Sequence, residues 1–195
     1  IVNENTRESM IFGMQNDNFS SGMVKYVGHE IRAVIMNKLE MDVRDTVLLA
    51  NAESIAVEAS MVAYEGVVIA AERDAGSLRT MEENASKFGT HNIEIIPEIT
   101  VEALEKLPTP RLAFIVAQKS TIENDIVTLL KVNPKIKFII YTLELDILAD
   151  IKYLMKKHGV DVTEVMQIAV SKVDKNGVFV AQPAPWMITC EVKEK

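Results

Sequence analysis

Apolar positions along this chain recur with two alternating periods. Ile31, Val34, Ile35 and Leu39 share one helical face, predicting a helix over residues 27–39. A short apolar run at 46–50 has strand length, and Ser54 is the expected cap of a helix reaching 62. A strand follows at 67–71. Leu78, Met81, Ala85 and Phe88 then mark a helix over 74–88, with Gly89 as its stop. Strands are predicted at 93–96, 112–116 and 137–141, and helices at 100–107, 121–130 and 144–158. Beyond residue 160 the pattern changes. A long β-like run over 162–173 meets the turn Asp174-Lys175-Asn176-Gly177, whose Asn-Gly pair is a strong hairpin signal. Return strands follow at 178–181 and 186–192. Alternating strands and helices imply an α/β domain with a parallel sheet, here closed by a C-terminal antiparallel hairpin. Residues 1–22 are polar with isolated anchors Phe12, Met14 and Phe19, and read as a mobile or surface-wrapping arm. Residues 23–195 read as one domain.

Composition narrows the function classes. The 195 residues are 48% hydrophobic, enough for a sizeable core, and no apolar run approaches the roughly 20 residues of a membrane span. The N-terminus lacks the apolar core of a signal peptide. Cys190 is the only cysteine, which excludes an intrachain disulfide and suits a reducing, cytoplasmic location. It reads as a buried, inert thiol. A net charge of −7 argues against nucleic-acid binding. The basic run over 152–157 lies at a helix C-terminus, where cations complement the backbone dipole. His29, His91 and His158 fall on different elements, so no metal site is expected.

In doubly wound sheets, ligands sit beyond the carboxyl ends of the strands. The place to look is therefore the turn Ala50-Asn51-Ala52-Glu53-Ser54. A nucleotide-type cofactor favours glycines there, because side chains obstruct close approach to the backbone. This turn has none. After the second strand, Glu72 has two readings. It could accept both hydroxyls of a ribose, or Glu72 or Asp74 could serve the N-terminus of the next helix.

Several short motifs, in order, carry a resemblance. They are the segment from Gly13 to Phe19, His29-Glu30-Ile31-Arg32-Ala33, Val57-Glu58-Ala59, Ala71-Glu72-Arg73, Glu83-Asn84 with Lys87-Phe88-Gly89, Asn92-Ile93-Glu94, Thr142-Leu143-Glu144 and the stretch from Gln167 to Lys172. With this spacing the chain resembles the decarboxylating precorrin-6Y methyltransferases of cobalamin biosynthesis. The resemblance implies a Rossmann-like class I methyltransferase fold: a mostly parallel seven-stranded sheet with helices on both faces. It implies S-adenosylmethionine as cofactor, a tetrapyrrole substrate and a homo-oligomer, often a tetramer. The positions it assigns to the cofactor are Glu72, Ala50, Asn51, Glu53 and Ile99, and to substrate Thr142 and Glu144.

This sequence departs from the family at three places. The glycine loop is replaced by Leu49-Ala50-Asn51-Ala52-Glu53, the acidic residue after the third strand falls at Ile99, and the fourth loop reads Val116-Ala117-Gln118-Lys119-Ser120. Only Glu72 survives among the expected cofactor contacts. Impaired methyl transfer is therefore one expectation. The alternatives are a non-catalytic module for partner binding or oligomerisation, and a remodelled crevice in which Gln118 and Lys119 receive an anionic group.

Overall fold

The structure is a computed structural model describing residues 13–20 and 27–192. A short 3-10 turn, Asn16–Asn18, precedes helix α1, His29–Leu39. Then come β1 (Thr46–Ala50), α2 (Glu53–Val62), β2 (Val67–Ala71), α3 (Ala75–Phe88), β3 (Ile93–Ile96), α4 (Val101–Leu104) and β4 (Leu112–Val116). The remainder is α5 (Ile122–Val132), β5 (Lys137–Thr142), α6 (Leu145–Lys157), β6 (Val160–Gln167), β7 (Ser171–Val173), β8 (Phe179–Ala181) and β9 (Trp186–Val192).

Seven strands form one sheet in the order β3-β2-β1-β4-β5-β9-β6. The first five are mutually parallel, and β9 pairs antiparallel with both β5 and β6. Side chains of each central strand alternate between two cores. Val47 and Leu49 join Ile35, Ile55 and Met81 of α1, α2 and α3, whereas Leu48 and Ala50 join Leu104, Ile126 and Ile151 of α4, α5 and α6. The fold is thus the expected three-layer arrangement, with helices on both faces.

Local chemistry sets the element ends. Asp74 caps α3 by accepting the Ser77 N–H at 2.8 Å, and Gly89 ends the helix at φ 65°. The expected Ser54 cap is corrected: α2 begins at Glu53, and its cap position is Ala52, whose own side chain makes no cap bond. The β-like run over 162–173 is not one strand. It ends at Gln167, and Ser171–Val173 pairs with Phe179–Ala181 as a separate two-stranded sheet. The Asp174–Gly177 turn closes that small hairpin, with Asp174 accepting from the backbone of Asn176 and Val178.

The segment 13–20 is held against the domain. Gly13 (φ 81°) passes so close to α1 that a Cβ there would collide with the His29 carbonyl and the Ala33 side chain. Phe19 is buried against Phe88, ring centroids 5.2 Å apart. Of the predicted anchors, Phe12 lies outside the described residues.

Candidate active site

The switch in strand order falls between β1 and β4, and the candidate residues gather at the carboxyl ends of these strands. Asn51, directly after β1, has a left-handed backbone at φ 55°. Asparagine tolerates this conformation better than most residues, so the turn keeps a glycine-like path with a side chain attached. That side chain donates from Nδ2 to the Val116 carbonyl at 3.2 Å, tying the end of β1 to the end of β4. The Asn51 N–H in turn donates to the Ala71 carbonyl at 2.9 Å.

Glu72, directly after β2, is only 2% exposed. Its Oε1 accepts the Ala52 N–H at 2.8 Å, one of the free amides at the start of α2. Burial pushes its carboxyl up to about 7, against the pull of the Ala52 bond and with further push from the neighbouring charge of Glu53. Glu53 is 7% exposed, is likewise pushed up to about 7 by burial, and its Oε2 has no hydrogen-bond partner. An acid without a donor in a dry site holds its proton to higher pH, because its charged form has lost water and gained nothing.

A third contact involves α5. Arg73 Nη2, just after the end of β2, meets Asp125 Oδ1 of α5 at 2.5 Å. Asp125 is fully buried, and burial pushes its carboxyl up despite the Arg73 charge beside it. Arg73 Nη1 has no partner.

The remaining candidates lie apart from these. Ile99 is buried in the core with Ile96 and Leu104, between β3 and α4. Thr142 is buried at the end of β5, where its Oγ1 accepts the Glu144 N–H at 2.9 Å, and Glu144 is exposed. Lys119 is exposed and paired with Asp146 of α6 at 2.9 Å. The structure therefore brings together Ala50, Asn51, Glu53 and Glu72; Ile99 shares a core cluster with Ala50, and the hydrogen bonds of Thr142 and Lys119 run to Glu144 and Asp146 instead. Cys190 is buried, its thiol pushed up to about 12 by burial and by Glu191. Among the described residues, no group of three or more His, Cys, Asp or Glu could hold a metal ion, and no helix is long and apolar enough to cross a membrane.

The family profile described as a precorrin methyltransferase domain matches residues 22–192, well over half of the chain. The chain belongs to this precorrin methyltransferase domain family. No curated protein matches it significantly. Among solved structures, the fold is similar to a precorrin-6Y C5,15-methyltransferase from Geobacter metallireducens, with TM-score 0.83 and 24% identity over 94% of this chain and 97% of that one. It is also similar to a precorrin-8W decarboxylase from Methanobacterium thermoautotrophicum, with TM-score 0.77 and 19% identity over 92% of this chain and 100% of that one. At these identities the structural likeness establishes the fold.

As a member of this family the chain would be expected to hold S-adenosylmethionine at the β1 turn. The residues present do not fit it. The Glu72 carboxyl, needed for ribose hydroxyls, is buried, and one of its oxygens is engaged by the Ala52 N–H. Asn51 fills the switch point with its own side chain. The family's acidic position after β3 is an apolar core residue, Ile99. Reading the sequence alone missed the Arg73–Asp125 pair. Asp125 lies in the first turn of a helix, where an acid needs no distant partner to explain it, and no local signal links it to a residue far back in sequence.

Proposed function

We propose that this precorrin methyltransferase family member acts in cobalamin biosynthesis as a non-catalytic module, binding partners and assembling as a homo-oligomer without methyl transfer from S-adenosylmethionine. One observation carries the reading: the crevice is bridged by the chain's own side chains. Asn51 to Val116, Glu72 to Ala52 and Arg73 to Asp125 together join β1, β2, β4, α2 and α5. Opening the crevice would break these contacts. That cost subtracts from cofactor affinity, tenfold for each ~1.4 kcal/mol.

The C-terminal hairpin supports the assembly half. Val173, Val178, Phe179 and Val180 are all more than half exposed, Phe179 at 76%. An isolated two-stranded hairpin is marginal in water, so an apolar one gains from burial against another chain. A tetramer and a cytoplasmic location accompany this reading.

Calorimetric titration with S-adenosylmethionine tests it, alongside a thermal shift at millimolar cofactor. The expected outcome is no heat and no shift. Saturable binding in the micromolar range would support a second reading instead. In that reading, favoured by the match over residues 22–192, the chain is a decarboxylating precorrin-6Y methyltransferase, with Thr142 and Glu144 meeting the tetrapyrrole.

A further inference from the structure

The turn that joins β7 to β8 carries a reactive pair. Asn176 is the only asparagine of the sequence followed by glycine. Glycine has no Cβ to shield its backbone nitrogen, so that nitrogen can approach the preceding side-chain amide. Other asparagines lack this opening. Asn133 precedes Pro134, which has no N–H, and Asn84 is fully buried within α3. Asn176 and Gly177 are both exposed. Gly177 is left-handed at φ 76°, and a Cβ there would meet nothing within 4 Å, so the space around the pair is open.

The hairpin around this pair is weakly held. β7 and β8 form a two-stranded sheet of their own, and every residue of both strands is exposed. Such a hairpin is marginal in water and opens readily. When it is closed, the Gly177 N–H donates to the Asp174 carbonyl at 3.0 Å. The Asp174 carboxylate accepts from the Val178 N–H at 2.9 Å, from the Asn176 N–H at 2.8 Å and, more loosely, from Asn176 Nδ2 at 3.3 Å. The Val178 and Asn176 amides hold this carboxyl below the usual carboxylate range.

We propose that Asn176 is a site of spontaneous deamidation, and that the product unzips this hairpin. On opening, the Gly177 nitrogen loses its proton to base and attacks Asn176 Cγ. The new C–N bond closes a succinimide ring. The bond from Cγ to Nδ2 breaks, and the nitrogen leaves as ammonia with a proton from water. Water then opens the ring at one of its two carbonyls. Attack at Cγ gives aspartate. Attack at the main-chain carbonyl gives isoaspartate, whose backbone runs through the former side chain. Water is the only co-reactant. Either product sets a carboxylate where Asn176 Nδ2 had donated to Asp174, so attraction becomes repulsion between like charges. The isoaspartyl form also lengthens the main chain by one methylene. That extra carbon displaces Val178 from Asp174 and breaks the register of Val173 with Phe179. The modification depends on the turn alone; where the hairpin serves the assembly proposed above, the product removes that surface.

Peptide mapping by mass spectrometry tests the site. The dilute chain is aged in mildly acidic and in mildly alkaline buffer. The unmodified Asn176 peptide is expected to be lost before any other asparagine peptide, and faster in alkali. Two products replace it, each heavier by the exchange of NH2 for OH, and electron-transfer fragmentation identifies the isoaspartyl one. Asn176→Gln abolishes the conversion, because its longer side chain closes a larger ring. Hydrogen exchange then compares the isoaspartyl chain with the Asn176→Gln chain, and the Asp174 and Val178 amides lose protection only in the former. Asn176 surviving while other asparagines react, or a rate that does not rise with pH, overturns the site. Unchanged protection at Asp174 and Val178 overturns the unzipping. Neither readout involves cofactor or assembly, so this proposal and the non-catalytic reading fail separately.

Discussion

Two buried acids on one helix, α2, have opposite surroundings. Glu58 is 4% exposed and fully satisfied. Its oxygens accept from Arg32 Nε at 2.5 Å, Gly13 N at 2.9 Å and Met14 N at 2.8 Å. Arg32 is completely buried, and it also donates to the Val27 carbonyl at 2.9 Å, to the Met14 carbonyl and to Asn16 Oδ1 at 3.3 Å. Its guanidinium lies 4.7 Å from the Phe19 ring centroid. Together these contacts tie segment 13–20 to α1 and α2. Glu53, at the start of the same helix, is equally dry but has an oxygen with no donor. The first acid keeps partners for its charge, and the second has none. A buried charge with complete partners is architecture, whereas a buried acid without them carries a desolvation cost that nothing in the fold offsets.

The largest effect should come from breaking the satisfied hub. Arg32→Leu leaves Glu58 buried with its strongest partner gone, and should cost about 3–5 kcal/mol. A thermal melt should fall by roughly 10 °C. A change of a degree or two would mean that Glu58 is not held as described.

Relieving the unsatisfied acid should do the reverse, increasingly as pH rises from about 4.5 through 7. Glu53 titrates at about 7 in the fold and near 4.5 as a free side chain. The folded state therefore holds the proton more tightly, so this acid's contribution is complete in acid and is lost as pH rises from about 4.5 through 7. Glu53→Gln stays neutral, and should stabilise the protein by about 1–3 kcal/mol at pH 8 while changing little at pH 4. Urea melts at the two pH values check it. Equal effects at both would show that Glu53 is ionised or partnered.

How far the residues alone reveal these two regions follows from the range of the forces involved. Strand and helix placement was legible because burial imposes periods on neighbouring residues, and the predicted strand 112–116 matches the observed one. The run over 162–173 misled because alternation cannot distinguish one long strand from two that diverge at residues 168–170. The glycine-free turn pointed to the carboxyl end of β1, where the structure places Ala50, Asn51, Glu53 and Glu72 near one another. What filled the crevice was not legible. The Arg73–Asp125 pair and the Arg32–Glu58 hub join residues 52 and 26 positions apart, and their partners are chosen by the fold rather than by neighbours.

The smallest expected effect is at Asn51. Glycine suits φ 55° better, but Asn51→Gly loses the bond to Val116. Net stability should move by less than about 1 kcal/mol, because the two effects oppose each other. Destabilisation well beyond that would show that the Asn51 bridge does more to hold the switch point than one hydrogen bond can.

The most direct test follows the Ala52 amide by ¹⁵N NMR, since this N–H is held by Glu72 at the centre of the closed crevice. Its resonance should move as pH passes through about 7, where Glu53 and Glu72 titrate, and should not respond to millimolar S-adenosylmethionine. A saturable cofactor-dependent shift of Ala52 at micromolar concentration would contradict the closed crevice.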